Sequence, residues 1–345
     1  MPFQPFVGLK KTGLIAAITF CCVTFAQMGS AQTVKTARLG HSFTDHHPRG
    51  IAMQKFADEV NKATNGEIKI DVFGSASLGS EQQMLQATQS NVQQFYLGSV
   101  SPLAGRQKTL QIFDFPFLFQ NHDEVANVLD GPVGQEMLKN LSKLRLYGLT
   151  WSGGAFRDLA NNKHAVNTMA DMKGLKIRVM PTKVAIDSFQ AIGMNPVPLS
   201  YTEVFTALET GVLDGHEHPV VDMYQNKVYE VEKYFTVTRH VYTPVVLVVA
   251  EKWFDALTPQ QKDIIHKVAQ ETQVFQRAEE IRQADDAVNQ LEQAGMQISV
   301  LPPEELDKIR TVVKPVIEKH TDIIGADFVK KFIDEIEKVR QQTVQ

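Results

Sequence analysis

The sequence predicts an α/β protein of two lobes braced by one long helix. Three observations carry that expectation. Short apolar segments of period two alternate with amphipathic segments of period 3.6 through most of the chain, the pattern of β-α-β units. No Gly-, Ser- or Pro-rich linker separates two halves, so a two-lobed chain would cross between its lobes several times. Residues 259–294 contain no Gly or Pro after Pro259. A helix over that stretch is roughly 50 Å long, more than one small lobe needs. The 345 residues are 43% hydrophobic and 21% charged, a globular composition with room for two domains.

Residues 37–43 (ARLGHSF) read as a first strand. Pro48 suits a first helical turn, and Ala52, Phe56 and Val60 then recur on one face. Asn65-Gly66 ends that helix, and Ile68, Ile70 and Val72 alternate with Glu67, Lys69 and Asp71 as a strand. Ser80 and Gln83 have capping-box spacing, and Asn91 can take the left-handed conformation that closes a helix. Residues 92–98 resume as strand. Helices follow over 122–130 and 133–143, with a strand over 145–151.

A second set of elements begins near Gly153-Gly154. It comprises a strand over 176–180 and a helix over 183–191. Ser200 and Glu203, at capping-box spacing, open a helix to Thr210. A strand over 213–220 leads into another helix, and 245–250 form an apolar, buried strand. Thr258 and Gln261 cap the long helix and Gly295 ends it. Two helices broken near residue 280 are the alternative.

The N-terminus reads as an export signal. Lys10 and Lys11 precede an apolar run over residues 14–26 that holds both cysteines, Cys21 and Cys22. Gly29, Ser30 and Ala31 then offer a cleavage site, placed after Ala31. At about 13 residues the run is short for a membrane span. Phe20 before Cys21 argues against a lipid-anchored cysteine. Cleavage leaves no cysteine, so thiol chemistry and disulfides are excluded from the mature chain. Loss of the two lysines takes the formal net charge from -4 to about -6. No concentrated basic run exists, which argues against nucleic acid as a partner. A phosphate-cradling glycine loop, a nucleophile elbow and a zinc-protease motif are also missing from the sequence.

Arg178, in KIRVM, is the most informative residue. Alternation puts Lys176, Arg178 and Met180 on one side and Ile177 and Val179 on the other. An arginine in a short apolar strand is costly without an anion, and its planar fork suits a carboxylate. Composition leaves two partners open: an internal Asp or Glu, or a ligand. Arg157, in GGAFRDLANNKH, offers a second cation or a plain structural charge. His216 and His218 in GVLDGHEHP could form a metal pair, and with Glu217 the site of a metal-dependent hydrolase. Ordinary hydrogen-bonding histidines fit better, since no third ligand stands at motif spacing, although His41, His46 and His47 exist. Trp151, Phe156 and Tyr201 lie close in sequence to these groups and could wall a pocket.

The stretches FADEVNKATNGEIKIDVFGSASLGSEQQML, FDFPFLFQNHDEV, ADMKGLKIRV and PVPLSYTEVFTALETGVLDGHEHP resemble the DctP family. These are the extracytoplasmic solute-binding proteins of tripartite ATP-independent periplasmic (TRAP) transporters. The resemblance covers roughly residues 36–340. It implies a periplasmic-binding-protein-like fold, with lobe I over 32–154 plus 244–283 and lobe II over 155–243 plus 284–345. Crossing strands and a long helix would join the lobes, which close on a ligand about a hinge.

The resemblance also implies that Arg178 pairs with a ligand carboxylate, that Arg157 is the second family arginine, and that Tyr201 and His218 complete the shell. Ser42, Leu97, Gly98 and Ser99 would face the cleft, with Trp151, Met180 and His216 beside them. The implied function is uptake of a small organic acid with small and large membrane subunits, by a periplasmic monomer with no cofactor and no metal. A receptor that reports to a sensor protein would share the same site. His216 and His218 depart from the family's Gln and Asn, Gly74-Ser75 from its proline and Asn91 from its glycine. A histidine in place of the orienting asparagine changes the donors offered to a ligand.

Overall fold

The computed structural model describes residues 34–343. The expected export signal, with its two cysteines, lies outside them. The first β-α-β unit is β1 (Lys35–Gly40), α1 (Pro48–Ala63) and β2 (Ile68–Phe73), and β1 and β2 pair in parallel. Pro48 opens α1, and Ala52, Phe56 and Val60 are buried on its inner face. The chain continues through α2 (Glu81–Gln89), β3 (Phe95–Ser99), α3 (His122–Asp130), α4 (Pro132–Lys139) and β4 (Leu146–Asn161). Ser80 and Gln83 form the expected capping box, and Asn91 has a φ of 62°.

The second set is β5 (Lys176–Val179), α5 (Lys183–Ile192), β6 (Asn195–Pro198), α6 (Val204–Glu209), β7 (Gly215–Pro219), α7 (Val220–Gln225) and β8 (Tyr234–Ala250). After them come α8 (Glu251–Asp255), α9 (Pro259–Gln293), β9 (Gln297–Val300), α10 (Pro303–Ile324) and α11 (Ala326–Thr343). The Ser200 cap expected from its spacing does not form. Ser200 Oγ lies 3.2 Å from Thr202 Oγ1 instead, and Tyr201–Glu203 make a 3-10 turn before α6 begins.

One sheet runs β2-β1-β3-β8-β4-β7-β5-β6, with β9 added beside β8. Its outer pairs are parallel, as alternating β-α-β units require. Its centre is antiparallel: β4 and β8, of 16 and 17 residues, pair along most of their length and carry the chain between the halves. Sequence reading placed two separate short strands there, over 145–151 and 245–250. Gly153-Gly154 looked like a break. It is a register shift inside β4, at φ values of 143° and 145°. A Cβ at Gly153 would sit 2.5 Å from Glu280 Oε2, and one at Gly154 would sit 2.3 Å from Thr243 O. Only glycine fits this crossing.

Four apolar cores hold the elements. The first joins α2, β3, α3 and α4, and the second packs α1 and the start of α9 on β1 and β3. The third packs α5 and α10 on β5, and the fourth joins α6, α7, the start of β8 and the end of α9. The last helix, α11, sends Phe332, Ile336 and Val339 back into the first core.

Helix α9 is one unbroken helix of 35 residues. Ile265, Val268 and Ala269 serve the second core, Ala287 and Leu291 the fourth. Between them the buried residues are polar: Gln276 and Glu280 face the crossing strands. Gln276 accepts from Ser152 Oγ at 2.9 Å, and Glu280 Oε2 accepts from the Gly154 amide at 3.0 Å. The long helix is therefore bonded to the crossing as well as packed on it. Among the described residues no helix is long and apolar enough to cross a membrane.

Candidate functional site

A cavity of about 280 Å³ lies where the ends of the strands from both halves meet. From the first half come Ser42 after β1, Arg49 in the first turn of α1, Glu81 in the first turn of α2, and Ser99 at the end of β3. From the second half come Arg178 at β5, Met180 just beyond it, Tyr201 in the turn before α6, and His218 on β7. Arg157 and Thr243, on the crossing strands, complete the wall.

Arg178 is 3% exposed. Its Nε donates to Leu199 O at 2.9 Å, while Nη1 has no partner. No ion pair holds it among the described residues. Burial pushes its guanidinium down to about 10; Glu217 pulls the other way, and Arg157 adds to the depression. Tyr201 stands with its ring 5.7 Å from the guanidinium carbon. A buried cation with a free donor edge is a site for an anion from outside.

Arg157 is buried as deeply but fully engaged. It forms an ion pair with Glu217 through Nε, and Nη2 donates to Glu217 Oε1 at 2.8 Å and Glu217 O at 2.6 Å. Burial alone would raise the Glu217 pKa, but Arg157 and His240 hold it well below the carboxylate range. Glu217, grouped from sequence with two histidines as a rival hydrolase site, is thus the internal partner of an arginine.

His218 lies over Tyr201, ring centroids 4.3 Å apart, with Nδ1 3.8 Å from Asp222 Oδ2. Burial depresses its pKa strongly; Asp222 opposes this, while Arg157, His216 and Arg178 add to it. The ring is neutral at pH 7. His216 is fully buried, its Nδ1 2.9 Å from Glu232 Oε2. The two histidines do share a face, rings 6.0 Å apart, but each faces a different acid. Among the described residues no group of three His, Cys, Asp or Glu converges as a metal-ligand set.

The cavity thus brings together Arg178, Arg157, Tyr201, His218, Ser42 and Met180. Four other expected residues lie outside its wall. Leu97 points into the second core, and a Cβ on Gly98 would collide with the Tyr96 hydroxyl at 2.1 Å. Trp151 is a core residue whose Nε1 donates to Gly134 O at 3.0 Å. His216 is turned toward Glu232, away from this cavity.

Two charged residues, Arg49 and Glu81, stand out among the wall residues that escaped sequence reading. Arg49 is clamped by Glu280 at 2.5 Å and Asp222 at 3.5 Å and covers the Phe43 ring. Its only signal was an arginine in a helix turn that is otherwise buried. Glu81 accepts from Ser99 Oγ at 2.7 Å and Ser42 Oγ at 3.3 Å. An acid in a first helical turn reads as ordinary dipole complementation, which hid it.

Comparison with known proteins places these features. The family model described as bacterial extracellular solute-binding protein, family 7 (DctP), matches residues 39–322. The sugar acid binding protein DctPAm of Advenella mimigardefordensis, solved with galactonate, is 36% identical with a TM-score of 0.87, over 89% of this chain and 99% of its own. The 2,3-diketo-L-gulonate-binding periplasmic protein YiaO of Escherichia coli is 30% identical over 78% of this chain and 82% of its own. The C4-dicarboxylate-binding periplasmic protein DctP of Vibrio cholerae is 30% identical over 83% and 86%.

Proposed function

The chain belongs to family 7 of the bacterial extracellular solute-binding proteins, and on that premise we propose that it captures an organic monocarboxylate at Arg178. One observation carries the proposal: Arg178 is the buried cation of the cavity that no internal acid neutralises. A carboxylate there gains a charge-assisted, planar pairing that water cannot match once the site closes. Arg157 and Arg49, already paired, shape the local field and do not take a second carboxylate. His218, stacked on Tyr201, and Ser42, across the cavity, address the rest of the ligand.

The proteins similar to this one bind, by their names, galactonate, 2,3-diketo-L-gulonate and C4-dicarboxylates. All are carboxylates, which supports an acid here and leaves its body open. The receptor works as a TRAP solute-binding protein with membrane subunits. We take residues 1–31 as its signal, cleaved near Ala31, the periplasm as its compartment and the monomer as its working form. The lobes are residues 32–154 plus 244–283 and residues 155–243 plus 284–345, with α11 reaching back to the first core.

A thermal-shift screen of organic acids identifies a ligand by the rise in midpoint that binding produces. Calorimetry on Arg178→Ala then tests the anchor. Removing one member of a buried ion pair costs about 3 to 5 kcal/mol, roughly two to three and a half decades in Kd. Near-native affinity in that variant overturns the proposal.

A further inference from the structure

Six charged residues line the cavity: Arg49, Arg157, Arg178, Glu81, Glu203 and Asp222. Most of them already have a partner or face water. Arg157 is paired with Glu217, and Arg49 lies between Glu280 and Asp222. Glu203 is exposed, where water weakens its field. Two remain, and they have opposite signs. Arg178 comes from the second half with a free Nη1, and Glu81 comes from the first half with no ion pair among the described residues. The N-terminus of α2, which carries Glu81, offsets part of its charge but supplies no cation. Glu81 is also felt across the cavity: burial lowers the Arg178 pKa, and Glu81 is among the charges that oppose it.

The groups around Glu81 fix the polarity of that end. Ser99 Oγ donates to its Oε2 at 2.7 Å, and Ser42 Oγ donates to its Oε1 at 3.3 Å. The Ser99 amide approaches Oε1 at 3.4 Å. Because a carboxylate only accepts, the proton direction in both hydroxyl contacts is set. Each serine has therefore spent its one O–H on Glu81 and keeps lone pairs for the cavity, which both line. The cluster offers acceptors and a negative charge. A ligand group that meets it must donate, and a cationic donor gains most. A second carboxylate would meet a like charge there and no donor from the cluster.

We propose that the cavity takes a zwitterionic monocarboxylate, with its carboxylate on Arg178 and an ammonium group of the same molecule against Glu81, Ser42 and Ser99. This rests on the carboxylate reading above and adds the charge and the donor at the other end of the ligand.

The test is calorimetry with a graded series of unbranched ω-amino acids, from β-alanine upward, each beside the ω-hydroxy acid and the dicarboxylate of equal length. At the best length the amino acid binds at least about tenfold tighter than the hydroxy acid, and the dicarboxylate binds weakest. Glu81→Gln keeps the shape of the side chain and removes its charge, and its urea unfolding checks the fold. In that variant the ratio of amino to hydroxy affinity falls to within about twofold of unity. The ratio in the natural chain is a test by itself if the variant does not fold. Hydroxy acids that bind as tightly as the amino acids at every length, a series in which no amino acid binds, or a ratio unchanged in Glu81→Gln overturns the ammonium subsite alone. Amino acids bound equally well by Arg178→Met and by the natural chain overturn the carboxylate reading beneath it.

Discussion

Arg157 on β4 and Arg178 on β5 are 2% and 3% exposed, flank β7 on its two sides and line one cavity. Arg157 is surrounded by acceptors: both Glu217 carboxylate oxygens, the Glu217 carbonyl and, at 3.4 Å, Thr243 Oγ1. Arg178 has one carbonyl. The two are displaced in opposite directions. For Arg157, burial is the largest single influence and works downward, but Glu217, Asp222 and Asp114 together raise the pKa, while for Arg178 burial wins. Equal burial therefore says nothing about role. The supply of internal acceptors decides whether a buried arginine is structural or free to bind.

The most severe way to break this contrast is Arg157→Ala. It strands Glu217 without its cation and should cost about 3 to 5 kcal/mol in urea unfolding. Adding Glu217→Gln should recover part of that loss. Arg178→Met is the matched case. It removes a poorly satisfied charge, so stability should stay within about 1 kcal/mol of wild type while acid binding is lost. A stability loss as large as that of Arg157→Ala would erase the distinction.

Asp114 sharpens the comparison through pH. It is buried near Arg157 and pushed up to about 7 by burial, against the pull of a Thr182 hydrogen bond and Arg157. The folded chain thus keeps a proton that the unfolded chain releases above about pH 4. Its stabilising contribution is full below that pH and is lost as pH rises through 7. Asp114→Asn should flatten the decline between about pH 4 and 7 in thermal unfolding. An unchanged slope would show that Asp114 is ionised in the folded state. The smallest effect is expected at Glu81, a carboxylate that faces the cavity opposite Arg178. Glu81→Gln removes a negative charge and should improve dicarboxylate binding relative to monocarboxylates by roughly fivefold, a change of about 1 kcal/mol.

Local signals in the sequence were readable where local physics decides. The Ser80–Gln83 and Thr258–Gln261 boxes, the Pro48 helix start and the unbroken α9 all follow from short-range bonds and the lack of a breaker. Long-range pairing was not readable. Gly153-Gly154 looked like a boundary because glycine usually is one, and only the partner strand and Glu280 explain its place inside β4. The site divides the same way. Arg178 was visible because an arginine between two core aliphatics conflicts with its strand. Arg49 and Glu81 were invisible because each suits its own helix turn, and the tertiary fold alone aims them at the cavity. Trp151 was drawn toward the site by sequence proximity, yet its side chain packs among Phe113 and its neighbours in the first core.

That placement of Trp151 has an optical consequence. The chain has two tryptophans. Trp151 is 1% exposed with its indole N–H fixed to Gly134, and Trp253 packs edge-on against Phe95 at 5.2 Å. Neither lines the cavity. Ligand capture should leave the tryptophan emission maximum nearly still, so a fluorescence assay on the natural chain would report a silent titration. A single tryptophan on the cavity wall, as in Thr202→Trp, would give the receptor the optical signal that its own indoles, both away from the cavity, do not provide.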